Sequence, residues 1–160
     1  MQFQTARFGE ITIAPEDIFD FPFGLIGFPE YRRYAIYREE KLAPFMWLQS
    51  LEEPRLCFFV VEPFLFFPDY EVNVKLDRVM ESEFASVSDL LVLGIVNIAP
   101  EFTDSTVNLL GPLVLNKIRR VGYQFVMDDS PYETKHRLFA AAAESGRAPD
   151  LSLVPEAKRA

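Results

Sequence analysis

The chain has one cysteine and one histidine in 160 residues. A single thiol excludes an internal disulfide framework and any zinc site built from several cysteines of one chain. A single histidine, His136, removes the usual member of acid–base pairs, Cys–His dyads and multi-histidine metal sites. No apolar run approaches the roughly 18 residues that a membrane helix needs. The opening stretch MQFQTARFGE carries no apolar segment of the signal-peptide kind. A cytoplasmic, non-membrane protein is the expectation. Gly-rich phosphate loops and the G-x-S-x-G and H-E-x-x-H motifs are absent, as are repeats. No metal and no cofactor are expected, and no enzymatic activity.

Positive charge is also scarce. The formal net charge is −8, which argues against direct binding to phosphate backbones. The imbalance is local. Residues Leu42 to Asn116 hold eleven acids against three bases, while the flanks cancel. The middle of the chain is therefore the acidic part. A basic turn, Lys117 with Arg119 and Arg120, reads as a solvated hairpin tip.

What is present is mostly a two-residue hydrophobic period. TARFGEITI reads as two short strands about Gly9. DIFDF begins with alternation and runs into a Pro/Gly segment, Pro22 to Pro29, where Gly24 and Gly27 are free to take positive φ. YAIY, FMWLQS, CFFVV, LLVLGIVNI, TVNLLGPLVLN and YQFVM read as further strands. Helix signals are few: LDRVMESEF with Asp77 near its start, a turn at SVSD, and the alanine-rich ETKHRLFAAAAES ending at Gly146. The fold class that follows is mainly β: a small closed or partly open barrel of about eight to ten short antiparallel strands, with one or two short helices and a C-terminal helix. Residues 1–140 would form one barrel domain, and 141–160 a helix end and flexible tail.

The stretch CFFVVEPFLFFPDYE holds six aromatic rings in fifteen residues, inside the acidic region. Cys57 to Val61 is apolar on both strand faces and reads as core, with Cys57 an unreactive thiol. Pro63 interrupts the ladder. Read as a strand, Phe64 and Phe66 then point one way, and Leu65 and Phe67 the other, so that one pair is exposed. Asp69 and Glu71 would frame that patch, and apolar patches with polar rims mark protein–protein sites. Asn108 and Asn116 bracket LLGPLVL, where Gly111-Pro112 forces an irregularity; this reads as a strand-switching corner or a second docking place for a peptide. In DDSPYETKH, the residues Asp128, Asp129, Glu133 and His136 can be drawn as a metal site, but a turn with a helix N-cap fits them better.

FPFGLIGF, WLQS, FFVVEPFLFFPDYE, NLLGPLVLN and DDSPYETKH, in this order, resemble the flagellar assembly factor FliW family, from about Thr5 to Leu138. The resemblance implies a β-barrel-like cytoplasmic protein without enzymatic activity. It implies that the protein binds flagellin and also the RNA-binding translational repressor CsrA, relieving repression of flagellin synthesis. The expected protein-binding residues are Phe64, Phe66, Phe67, Asp69, Tyr70, Glu71, Asn108, Leu109, Leu110, Pro112 and Asn116. Glu62, Asp69 and Glu71 form the expected acidic rim. No direct nucleic-acid contact is expected, and the free protein is expected to be a monomer. Two other classes remain open at this point: a chaperone-like module for another secreted protein, and a metal-dependent hydrolase centred on Asp128, Asp129 and His136.

Overall fold

The structure is a computed structural model that describes residues 1–74, 76–77, 80–81, 84 and 89–139. Gln2–Thr5 (β1) and Gly9–Thr12 (β2) form a separate antiparallel hairpin. Seven strands close a barrel: Ile18–Asp20 (β3), Arg33–Tyr37 (β4), Met46–Ser50 (β5), Cys57–Val61 (β6), Leu90–Asn97 (β7), Leu113–Asn116 (β9) and Val121–Gln124 (β10). Two short strands, Thr106–Val107 (β8) and His136–Arg137 (β11), extend the sheet outward from β7. The spatial order is β11-β8-β7-β6-β5-β4-β3-β10-β9, and the β7–β9 pairing closes the ring.

Strand directions cannot alternate all the way around a ring of seven, so one neighbouring pair must be parallel. That pair is β10 and β3, which meet at Val121 and Asp20. The junction is completed by the Asp20 N–H, which donates to the Arg120 carbonyl at 2.9 Å. The other pairings are antiparallel, as the sequence pattern requires.

The lumen is filled by alternate residues from six of the seven strands or their immediate ends: Phe19 and Phe21, Tyr34 and Ile36, Leu48, Val60, Leu93, and Leu113 with Leu115. The seventh strand, β10, contributes Gly122, whose missing Cβ leaves room for the Phe21 ring. The opposite faces are also covered. Ile11 and Ile13 of the hairpin lie on Ile18 and Ala35. Phe84 lies on Val114 and Tyr123. A third, larger outer layer joins Trp47, Phe59 and Val61 to Phe45, Tyr70, Phe102, Leu109, Met127, Leu138 and Phe139. Walls buried on both faces explain why strands such as CFFVV and LLVLGIV are apolar without alternation.

The Pro22–Pro29 segment forms the expected turns, with Gly24 at φ 64° and Gly27 at φ 90°. A Cβ on Gly24 would lie 2.6 Å from the Phe28 carbonyl oxygen, so this turn requires glycine. Lys117 to Arg120 is the β9–β10 hairpin tip, as expected.

The helix expected over Glu133–Ser145 does not begin where the sequence suggested. Its first half is extended: the Glu133 carbonyl accepts from the N–H groups of Leu109 and Leu110, both at 3.1 Å, and His136–Arg137 pair with β8. Leu138 and Phe139, which follow, are both buried in the outer layer. Residues from 140 onward, four of the nine residues of LDRVMESEF and all of SVSD but Asp89 lie outside the described residues; in LDRVMESEF the described Met80 and Glu81 are helical, and the Phe84 N–H donates to the Met80 carbonyl at 2.9 Å. Within LDRVMESEF, Asp77 does act as a start signal: its carboxylate accepts from the Met80 N–H at 2.9 Å.

Candidate functional site

The aromatic stretch leaves the barrel at Val61, and Pro63 then opens a 3₁₀ turn over Pro63–Leu65. The Pro63 carbonyl accepts from the Phe66 and Phe67 N–H groups at 3.0 and 2.8 Å. The strand-like alternation expected here is therefore replaced by a turn. Proline cannot donate into a ladder and has the φ of a first helical position. The exposed pair is consequently made of neighbours: Phe64 is 42% exposed and Leu65 58%. Phe66 and Phe67 turn inward and are half-buried, Phe66 edge-on to Phe139 and Phe67 edge-on to His136.

A second turn, closed by the Tyr70 N–H on the Phe67 carbonyl at 3.0 Å, exposes Asp69 and buries Tyr70. The Tyr70 hydroxyl donates to the Leu109 carbonyl at 2.7 Å. This bond fastens the aromatic segment to NLLGP. Burial pushes the phenol above its ordinary range, so it stays protonated as a donor.

NLLGP is an excursion within a single edge of β7. Val107 faces Val96, and Leu113 faces Leu93. Six steps on one chain thus oppose three on the other, and three residues are looped out as an enlarged bulge. The Asn108 side-chain oxygen accepts from the Gly111 N–H at 2.9 Å and shapes the loop. Gln124 then joins this loop to the first one. Its amide nitrogen donates to the Gly111 carbonyl at 3.0 Å, and its amide oxygen accepts from the Ile26 N–H at 2.9 Å. DDSPYE arrives on the same side: the Met127 N–H donates to the Leu110 carbonyl, and the Tyr132 hydroxyl accepts from the Glu71 N–H at 3.0 Å. Four sequence motifs, far apart in the chain, converge here.

Two grooves flank the extended segment Glu71–Val74, whose residues alternate between exposed and half-buried. One, of about 400 Å³, is lined by Glu71, Asn73, Asp128, Asp129 and Tyr132, together with the exposed Val126 and the buried Met127. The other, of about 480 Å³, is apolar: Phe64, Val72, Leu76, Phe84, Leu90, Val92 and Val114, with Glu62 at the rim. Val74 reaches both. None of Glu62, Asp69, Glu71, Asp128 and Asp129 joins an ion pair among the described residues.

Of the residues expected at the site, Phe64, Asp69 and Glu71 reach the surface there, with Glu62 beside them. Tyr70, Leu109 and Pro112 are buried beneath it, and Leu110 is half-buried. Asn116 lies elsewhere: it is buried at the β9–β10 tip, where its side-chain oxygen accepts from the Ile118 and Arg119 N–H groups at 2.9 Å. Sequence reasoning placed Leu65 in one of the two candidate exposed pairs but not among the binding residues, and it did not name the Val72, Val74, Phe84 and Val114 walls of the apolar groove. The alternation in EVNV was the available signal for the two valines.

Cys57 is half-buried, and burial pushes its thiol up to about 12, in keeping with an unreactive side chain. Asp128 and Asp129 are not joined into a metal centre. The His136 ring nitrogen Nε2 accepts from the Glu133 N–H at 2.8 Å, and no three His, Cys, Asp or Glu side chains group as ligands among the described residues. The turn expected in DDSPYE is present, with Ser130 as its hinge, but no helix follows it within the described residues.

Comparison with known proteins gives a consistent picture. The family described as FliW protein matches residues 2–138. A flagellar assembly factor FliW from Treponema denticola is 38% identical over 92% of this chain and 99% of its own length. Its counterpart from Alkaliphilus metalliredigens is 40% identical over 85% of each chain. A crystal structure of the flagellar assembly factor FliW superposes with a TM-score of 0.77 at 35% identity, covering 87% of this chain and 97% of the other.

Proposed function

Because this chain belongs to the FliW family of flagellar assembly factors, we propose that it acts by binding proteins rather than by transforming molecules. Its partners are flagellin and an RNA-binding translational repressor of the CsrA type, and it works in the cytoplasm as a monomer when free. By binding the repressor it relieves repression of flagellin synthesis, and flagellin competes for it.

The observation that carries this reading is the ridge of Phe64 and Leu65 beside an apolar groove with Glu62 in its lining, Asp69 and Glu71 being exposed on the neighbouring segment and none of the three joining an ion pair among the described residues. Exposed aromatic and aliphatic side chains on a turn held from beneath form an anchor of the kind that dominates protein–protein affinity. The segment is held by the Tyr70–Leu109 bond and the Tyr132 hydroxyl, so little ordering cost remains on binding. A net charge of −8 repels RNA while attracting a basic RNA-binding surface. Terminal segments of filament proteins that fold or add a strand on binding would suit the apolar groove.

The test is a titration of the protein into a complex of the repressor with leader RNA, and separately into flagellin. RNA release and flagellin binding near micromolar concentration are expected. Phe64→Ser should weaken the apolar contact by about 2 kcal/mol or more, roughly 30-fold. Reversing Asp69 and Glu71 to lysine should weaken RNA antagonism and its salt dependence while the fold persists. Absence of both RNA release and flagellin binding would refute the proposal, and unchanged antagonism in the charge-reversed protein would remove the acidic rim from it.

A further inference from the structure

The parallel seam between β3 and β10 is a single residue pair, Asp20 with Val121, and beyond it the chain of β3 turns away into the Pro22–Pro29 segment. We propose that the edge left open at Val126 takes up an extended, basic segment of a partner protein as an added strand. The edge and its preference for positive charge stand on the geometry; only the identity of a partner that uses them rests on the reading given above.

The register shows that the edge is open. β9 and β10 pair antiparallel, with Val121 opposite Asn116 and Gln124 opposite Leu113. The same register continues past β10. The Phe125 N–H donates to the Pro112 carbonyl at 3.0 Å, and the Met127 N–H to the Leu110 carbonyl at 2.8 Å. In an antiparallel pair, alternate residues turn their backbone polar groups toward the partner strand. Val126 lies between these two, so its N–H and carbonyl point away from NLLGP. Neither has a hydrogen-bond partner among the described residues, and Val126 is exposed. An unpaired edge of this kind is a template for a further strand.

The surroundings select which strand. Phe23 and Ile26, on the segment that follows β3, are exposed and fixed against β10. The Phe23 ring lies 5.8 Å from that of Tyr123, and the Ile26 N–H is held by the Gln124 side chain. They offer an incoming segment apolar contact. Asp128 and Asp129 follow Val126 in the chain, and Val126 shares the 400 Å³ groove with them and with Glu71. None of these three carboxylates joins an ion pair among the described residues. A second copy of the chain would bring its own Asp128 and Asp129 to the same edge and a net charge of −8 with them, which opposes self-pairing. A foreign segment bearing lysine or arginine meets the same groups with opposite charge. The carboxylates thus guard the edge against self-association and favour a cationic strand.

Nuclear magnetic resonance of the full chain with short peptides tests this. The probe is acetyl-Val-Lys-Val-Lys-Val-amide. One control replaces both lysines by glutamate; the other is the basic peptide N-methylated throughout, which keeps the charge and loses the backbone donors. The basic peptide should shift the Val126 amide and the methyl signals of Val126 and Ile26 saturably in the millimolar range. Ile11 and Ile13 of the N-terminal hairpin should not move. Both controls should bind at least about 10-fold more weakly. Asp128→Asn together with Asp129→Asn should weaken the basic peptide about 3- to 10-fold.

No saturable shift with the basic peptide, shifts centred away from Val126, or an equal response to either control would overturn the proposal. So would unchanged affinity in the neutralised variant. Concentration-dependent shifts of the same signals without peptide would place a second copy at the edge and overturn it as well. All of these are read without flagellin or the repressor, so the edge and the partner reading fail independently.

Discussion

Replacing Tyr70 by phenylalanine removes one hydroxyl and leaves the ring among Phe64 and Tyr132. The hydroxyl donates to the Leu109 carbonyl at 2.7 Å, and Tyr70 and Leu109 are 5% and 1% exposed. Water cannot readily replace the lost donor. An ordinary hydrogen bond contributes about 0.5–1.5 kcal/mol net, and stranding a buried acceptor costs about 1–3 kcal/mol. The expected loss is therefore about 1–3 kcal/mol. For a chain of this length that lowers the melting temperature by roughly 2–10 °C. Urea unfolding is the assay of choice, because a fall in midpoint at constant slope isolates stability from changes in compactness. Tyr132→Phe is the internal control. Its hydroxyl accepts from the N–H of the exposed Glu71, which water can satisfy, so its loss should cost less than about 1 kcal/mol. Equal costs for the two substitutions, or no cost for Tyr70→Phe, would refute the claim that this hydroxyl fastens the aromatic segment to NLLGP. If the clamp also preorganises the ridge, Tyr70→Phe should weaken the flagellin binding proposed above without touching an exposed residue.

Gly122→Ala should destabilise the barrel by about 1–3 kcal/mol in urea unfolding, since the new Cβ would lie 2.7 Å from two ring atoms of Phe21 inside a full lumen. Tyr34→Phe should be neutral or stabilising at pH 7, because the buried Tyr34 hydroxyl has no hydrogen-bond partner among the described residues. Stability should fall on the alkaline side. Burial raises the Tyr34 and Tyr70 phenols and moves the Cys57 thiol to about 12, so the folded state keeps protons that the unfolded chain releases. This contribution is complete below the ordinary thiol and phenol values of about 8.5 and 10 and is lost as pH rises past them. The urea midpoint should therefore hold to about pH 8.5 and then decline, and Tyr34→Phe should shallow that decline.

Much of the wall of this barrel was legible in the sequence. The runs at Tyr34, Met46, Cys57, Leu90 and Leu113 announce strands because branched and aromatic residues cluster between polar turns, and the structure puts strands there. Gly24 and Gly27 announced a turn that needs positive φ, and Lys117 to Arg120 announced a hairpin tip. Two local readings failed for the same reason. Phe64 to Phe67 looked like strand, and residues 133–139 looked like the start of a helix. In both, the backbone groups were claimed by something distant or by a proline: Pro63 opening a turn, and the Glu133 carbonyl taken by Leu109 and Leu110. The candidate site shows the same division. Phe64, Asp69 and Glu71 were named from composition and reach the surface, whereas Asn116 was named for its neighbourhood in sequence and turns out to shape a hairpin at another end of β9.

The sequence by itself determined that the chain would close apolar strands into a β structure, carry excess negative charge in its middle and hold only one histidine and one cysteine. Those are properties of composition and of local period, which survive any arrangement of the strands. Only the tertiary structure decided which rings are outside and what they stand beside. That choice depends on the parallel β3–β10 closure, on three looped-out residues along β7, and on hydrogen bonds such as Tyr70 to Leu109 that span 39 residues. A periodicity cannot encode a partner that far away. It shows that a residue is apolar, and packing decides whether that residue faces the lumen, the outer layer or another protein.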